Sequence, residues 1–107
     1  MKGIQVKLKW LPYTGTALFP FILIRKKDLP VGDVLINHER IHLQQQLELL
    51  LIPFYILYFT SYVFYRLKGL KHNAAYRSIC FEKEAYQHEK NMNYLKGRKA
   101  FAFMSYL

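Results

Sequence analysis

The stretch Asn37-His38-Glu39-Arg40-Ile41-His42 places two histidines four residues apart, with a glutamate directly after the first. On an α-helix, side chains four residues apart lie on one face, one turn from each other. Two imidazoles in that arrangement can bind one Zn²⁺ ion, and Glu39 can reach a water on the same side. The spacing therefore predicts a metal site on a helix, with His38 and His42 as ligands and Glu39 as general base. The alternative is a helix that carries two histidines and binds no metal.

The residues around this motif favour a helix from about Asp33 to about Ile52. Asp33 or Gly32 can cap its start, and an acidic residue in the first turn suits the helix dipole. Three glutamines, residues 44–46, follow the second histidine. We expect one of them near the metal face, where it can bind substrate or a group that supports the ligands, and the other two in solvent.

The first 27 residues predict a β-hairpin. Apolar and polar residues alternate from Ile4 to Trp10, as in a half-buried strand. Residues 12–16 contain a proline and a glycine and predict a turn. A second strand is expected over residues 19–25. Because Pro20 has no N–H to donate, this strand should have an open edge or begin after the proline.

A stretch without charged residues runs from Leu49 to Tyr65, and basic residues follow it at once. Its 17 residues fall just short of a typical membrane-spanning helix, and its tyrosines and Pro53 weaken the spanning interpretation further. Pro53 also predicts a kink or a break. The basic residues that follow are typical of a cluster at a membrane surface: Arg66, Lys68, Lys71 and Arg77. A buried core helix and a helix in contact with a membrane both remain open.

Length and composition predict one globular domain, because the chain has 107 residues and 52% of them are hydrophobic. The single cysteine, Cys80, excludes an internal disulfide and a cysteine-based zinc site, and it fits a reducing compartment. The net charge of +9 favours an anionic partner. We place a membrane surface before nucleic acid, because no nucleic-acid-binding motif is present. No signal peptide is seen, so a cytoplasmic or membrane-associated location is expected.

A catalytic zinc ion usually has three protein ligands, so the two histidines require a third. A helix is expected over residues 73–95, and it carries Glu82 and Glu84 about forty residues after the motif, where it can pack antiparallel to the motif helix. His72 falls in a predicted turn and His88 near the end of this helix, so the two carboxylates are better placed. The alternative for both glutamates is a solvated helix face that pairs with nearby lysines.

The motif and the later Glu-Lys-Glu-Ala string together resemble the zincin metallopeptidases of the gluzincin type. In several branches of that family the glutamate of the second helix lies in a Glu-x-x-Ala-Asp or Glu-x-x-Ala-Asn string. The stretch Glu82-Lys83-Glu84-Ala85-Tyr86 matches that string except at Tyr86. The resemblance implies Glu82 as third ligand, and the tyrosine leaves open how a ligand histidine is oriented. In another branch the ligand directly precedes an alanine and an acid follows four residues later, which would make Glu84 the ligand and put His88 in the acid's place.

A second resemblance covers most of the chain. His-Glu-x-x-His, Ile-Pro-Phe-Tyr and Phe-Glu-x-Glu-Ala-Tyr strings are similar to those of a small, uncharacterised group of bacterial proteins. That likeness implies no particular activity.

The metal site constrains the apolar stretch. If residues 49–65 crossed a bilayer once, His42 and Glu82 would lie on opposite sides, and the last helix is too charged to cross back. Bonds of about 2 Å to one ion would then be impossible. We therefore expect the apolar helix to fold back beside the motif helix, buried in the protein or lying along a membrane surface.

The expected fold class is α+β, a minimal zincin-like domain over residues 1–107. Its expected parts are a β-hairpin (1–27), a kinked motif helix followed by the apolar helix (32–67), a long third-ligand helix (73–95) and a basic, aromatic tail (96–107).

The predicted function is zinc-dependent hydrolysis of a peptide or protein substrate. His38, His42 and Glu82 would bind zinc, and Glu39 would transfer protons. Four side chains are candidates for stabilising the oxyanion: Tyr76, Arg77, His72 and His88. The alternative is a non-catalytic basic protein at the membrane periphery with a structural or vestigial metal site. A chain this short leaves little room for a substrate cleft, so completion of the site by a second copy or a partner protein stays open.

Overall fold

The computed structural model describes residues 3–107 and has a three-stranded sheet followed by helices, which confirms the predicted α+β class. Met1 and Lys2, which belong to the N-terminal segment where no signal peptide is expected, lie outside the described residues. The strands are β1 (Ile4–Leu8), β2 (Gly15–Leu18) and β3 (Phe21–Arg25). The helices are α1 (Asp33–Glu48), α2 (Ile52–Leu67), α3 (His72–Ser78), α4 (Cys80–His88) and α5 (Tyr94–Gly97), with 3₁₀ turns at Lys26–Asp28 and Ala102–Tyr106.

The predicted hairpin is wrong, because its two expected strands run parallel to each other and an additional strand between them in sequence forms the antiparallel pair. The strand order is β1-β3-β2, in which β2 pairs antiparallel with β3 and β1 runs parallel to β3. Gly15 and Thr16, which we expected in a turn, begin β2. The strand β3 begins at Phe21, directly after Pro20, which confirms the second of the two predicted alternatives; both of its edges are paired.

One face of the sheet packs on α1. Ile22 and Ile24 of β3 are fully buried and form a cluster with Ala17, Ile36 and Leu43. Burying such aliphatic side chains is the main force that holds a sheet against a helix.

The buried Gln46 of α1 joins that helix to the backbone around β2. Its amide donates a hydrogen bond to the carbonyl of Ala17 and accepts one from the N–H of Phe19, both at 2.8 Å. Since Gln45 is buried as well, the expectation that two of the three glutamines face solvent is wrong.

The motif helix ends earlier than predicted and is followed by a sharp turn. α1 ends at Glu48, and Leu50 and Leu51 take positive φ angles of 58° and 71°. The axes of α1 and α2 bend by 115° at this turn. Pro53 lies in the first turn of α2, where a missing N–H does no harm. The motif helix is therefore not kinked, because the chain changes direction between two separate helices.

The predicted long C-terminal helix is broken into α3 and α4. Ile79 is extended (φ −62°, ψ 133°) and fully buried, in a cluster with Phe54, Phe81 and Phe103. Packing of Ile79 into this cluster accompanies the interruption, although the local sequence favours a continuous helix. α4 then ends at His88 rather than near Leu95.

The apolar helix α2 is mostly exposed. Of its sixteen residues, all of them described, Phe54 alone is buried. The interpretation of α2 as a buried core helix is therefore wrong. Within residues 3–107 we find no single helix that combines the length and apolar character needed to cross a membrane; α1 and α2 meet that test only as a bent pair.

Candidate metal centre

The motif histidines and Glu82 meet between α1 and α4. The Nε2 atoms of His38 and His42 each lie 3.0 Å from Oε1 of Glu82, and they lie 3.2 Å from each other. All three side chains are buried. The structure thus brings together the three residues that the sequence predicted as ligands, and this buried group can hold a metal ion.

Hydrogen bonds on the far side of each imidazole ring determine where its proton lies. The Nδ1 atom of His42 is 2.8 Å from the side-chain oxygen of Gln45, whose amide nitrogen already donates to Glu84 and to the Phe81 carbonyl. This assignment makes the Gln45 oxygen an acceptor, so the proton of neutral His42 is on Nδ1. The Nδ1 atom of His38 is 2.8 Å from a carboxylate oxygen of Glu89, which requires the same tautomer. When both rings are neutral, each Nε2 atom therefore has a lone pair available beside Glu82.

Three potential ligand atoms that converge in a buried site can hold a metal ion between them. Four-coordinate zinc with bonds of about 2.0–2.1 Å separates its ligand atoms by about 3.3 Å, close to the distances observed. The second oxygen of Glu82 accepts a hydrogen bond of 2.5 Å from Tyr58, which leaves Oε1 available as a ligand atom. Two imidazoles and one carboxylate form a donor set that suits a divalent transition metal.

The electrostatics of the group favour positive charge at its centre. Burial alone would lower the pKa of His42, but the Glu82 carboxylate raises this pKa to about 9. Burial would raise the pKa of Glu82, but His42, His38 and Tyr58 hold it well below its usual range. Glu82 is thus an anion at neutral pH, and a proton at His42 balances its charge when no metal does so.

Glu84, the alternative ligand, faces a different set of partners. It accepts hydrogen bonds from Gln45 at 2.9 Å, from Tyr94 at 2.6 Å and from Arg98 at 2.5 Å. Arg98 also reaches Glu48 at 2.8 Å. Glu84 supports the site indirectly: it accepts a hydrogen bond from the Gln45 amide, and the oxygen of that amide orients His42.

The sequence assigned no role at the site to four residues that lie there: Glu89, Tyr86, Tyr58 and Asn37. Glu89 supplies the carboxylate for His38, while Tyr86, which stands where the gluzincin string has an acid, packs its ring against His38 at a centroid distance of 4.5 Å. Glu89 lies seven residues after Glu82, and that two-turn spacing was the available signal. Tyr58 and Asn37 carried no such signal. Asn37 donates to backbone carbonyls at the end of α4, including that of Glu89 at 2.8 Å.

A cleft of about 310 Å³ gives access to the motif from the side of the sheet. It is lined by His38, Glu39, Glu89, Tyr76 and Tyr86, and also by Thr14, Gly15, Val34 and Leu35. Glu39 is buried at its wall, and burial raises the pKa of this carboxyl against the opposing effect of the two histidines. A carboxyl with a raised pKa is a better proton acceptor.

Of the four candidates for oxyanion stabilisation, Tyr76 lines this cleft. His72 interacts with the hydroxyl of Tyr62, and His88 with that of Tyr106. Arg77 lies over the ring of Tyr86 and lines a neighbouring depression. Burial and nearby Glu82 raise the pKa of Tyr76, so its hydroxyl keeps the proton that it can donate.

Comparisons with known proteins return nothing for this chain: no protein-family model, no curated protein and no solved structure matches it. The resemblance to zincins therefore depends on the motif and on Glu82. Function has to be argued from the site itself.

Proposed function

We propose that the protein is a zinc-dependent peptide hydrolase, with His38, His42 and Glu82 as ligands and Glu39 as general base. The observation that carries the proposal is the convergence of two Nε2 atoms and one carboxylate oxygen within 3.2 Å of one another. Zinc held by three protein ligands would supply Lewis acidity toward water and a peptide carbonyl.

Glu39 is suited to proton transfer at this position. It follows His38 directly on α1, and both residues line the same cleft. Its raised pKa lets it accept a proton from the attacking water and return it to the leaving amine.

Tyr76 is the candidate donor to the oxyanion. Its hydroxyl stays protonated at neutral pH, and the ring stands at the cleft wall that also carries Glu39. A donor fixed in place before reaction stabilises charge that develops in the transition state. Tyr76→Phe should therefore lower kcat while KM and zinc content change little.

The deciding experiment is Glu39→Gln, which keeps the size of the side chain and removes its basicity. We expect normal zinc content and a loss of peptide turnover by a factor of about 10²–10⁴. Metal analysis and a quenched fluorescent peptide library measure the two quantities. His42→Ala is the matched control and should lose both zinc and turnover. Undiminished turnover by the Glu39→Gln protein would reject the proposal.

A structural metal site is the second candidate, and the deep burial of the ligands favours it. His38, His42 and Glu82 are only 5%, 5% and 2% exposed. Stoichiometric zinc in the native protein would select this function instead if no library peptide is cleaved, whether or not a chelator is added. In that case zinc would act through folding stability, as structural zinc does.

A further inference from the structure

The outward side of α2 presents apolar side chains to solvent. Ile52, Ile56, Leu57, Phe59, Phe64 and Leu67 are each at least 47% exposed, and we call these six residues the apolar face. Adjacent Leu50 is 80% exposed. Soluble domains rarely leave so much contiguous apolar surface in water unless it binds something.

The charge next to the apolar face has one sign. Residues 49–81 contain no Asp or Glu, whereas Arg66, Lys68 and Lys71 follow one another at the end of α2 and are all exposed. The ammonium of Lys68 lies 4.9 Å from the ring centroid of Phe64, so positive charge directly borders the apolar face. A partner that covers this surface must therefore present apolar groups next to negatively charged groups.

We propose that the apolar face docks on an anionic lipid bilayer, with α2 in the plane of the interface and its terminal cations against the headgroups. Such a surface offers acyl chains beside negative charge, which complements both features. A second copy of the chain complements neither, because pairing the two faces would bring identical cations together without an acid among them. At sixteen residues α2 would be about 24 Å long, which suits a helix that lies along the interface.

Docking in this orientation would place the metal centre close to the lipid. The inner side of α2 carries Tyr58, which bonds to Glu82, and Phe54, whose ring centroid is 6.4 Å from that of His42. One helix diameter, about 10 Å, would then separate the bilayer surface from the ligand group. The proposal concerns the surface alone and holds whether or not the metal centre is catalytic.

Vesicle co-sedimentation of the full chain tests the proposal. We expect the wild-type protein to bind phosphatidylglycerol-containing vesicles more tightly than vesicles of phosphatidylcholine alone, and to be released partly by salt. The double variant Phe59→Ser, Leu67→Ser should bind at least about ten-fold more weakly. Met92→Ser, at an exposed apolar residue in the turn after α4, is the matched control and should bind like wild type.

A charge variant keeps the test decisive if the apolar variant folds poorly by circular dichroism. Lys68→Gln, Lys71→Gln should lose about ten-fold in binding to the anionic vesicles, and Lys26→Gln, Lys27→Gln serves as its control. Equal binding by the apolar variant and by Met92→Ser would overturn the proposal, as would no vesicle binding by the wild type. A lipid-free dimer that the apolar variant converts to monomer would assign the surface to a second copy.

Discussion

α4 and α2 depart from the usual distribution of side chains in opposite directions. α4 buries two carboxylates, Glu82 and Glu84, at 2% and 0% exposure, and surrounds each with donors. α2 leaves the apolar side chains of Phe59 and Leu67 at 67% and 83% exposure. A globular protein gains stability from neither arrangement by itself. The difference teaches that the buried charge of Glu84 finds its partner inside the protein, in Arg98, whereas the apolar side chains of α2 remain exposed.

The largest expected effect compares two phenylalanines on these helices. Phe81 of α4 is 1% exposed and contacts Phe54 and Phe103, so Phe81→Ala should lower the free energy of unfolding by about 3–5 kcal/mol. Phe59→Ala removes the same atoms from an exposed position of α2 and should change it by less than about 0.5 kcal/mol. Urea unfolding measures both. Similar losses for the two variants would show that α2 buries its outer side within the monomer.

Arg98 tests how the buried acids of α4 are balanced. Its guanidinium pairs with Glu84 and Glu48, and all three side chains are at most 7% exposed. Arg98→Met would leave two carboxylates in the interior without a counter-charge, which should cost about 3–5 kcal/mol of unfolding free energy. The same substitution at exposed Lys96 is the control and should have little effect. If Arg98→Met proves neutral, water must reach Glu84 and the interior is not dry.

The smallest effect separates two neighbouring buried glutamines. Gln45→Leu removes the acceptor for His42 and should weaken zinc binding by about 10- to 100-fold, measured by competition with a chelating dye. Gln46→Leu breaks the bonds to Ala17 and Phe19 instead, which should lower stability by about 1–3 kcal/mol and leave zinc affinity as it was. An equal loss of affinity in both variants would mean that Gln45 acts only through packing.

The sequence predicted the parts of the molecule that depend on local spacing. Helical periodicity placed His38 and His42 on one face, and the string around Glu82 indicated the carboxylate that meets them. These predictions succeed because i, i+4 geometry is a property of any α-helix, whatever surrounds it. The α+β class followed from the same kind of local pattern.

Features that depend on distant contacts could not be predicted. The strand β2 exists because Gly15–Leu18 pairs with β3, although a proline and a glycine nearby favour a turn. The break at Ile79 lies in a cluster formed with residues from α2 and the C-terminal segment. Glu89 contacts His38 only because α4 packs against α1. Its two-turn spacing from Glu82 indicates a shared helix face, but not which side chain that face meets.

The three-residue turn Leu49–Leu51 also fixes how α2 is rotated about its own axis relative to α1. Tyr58 reaches Glu82 and Phe54 faces inward only because α2 starts at one angle about its own axis. One residue added to the turn would change where the side chains of α2 lie relative to α1, which would move Tyr58 away from the carboxylate of Glu82. Unlike most surface connections, this one should therefore tolerate changes of side chain far better than changes of length.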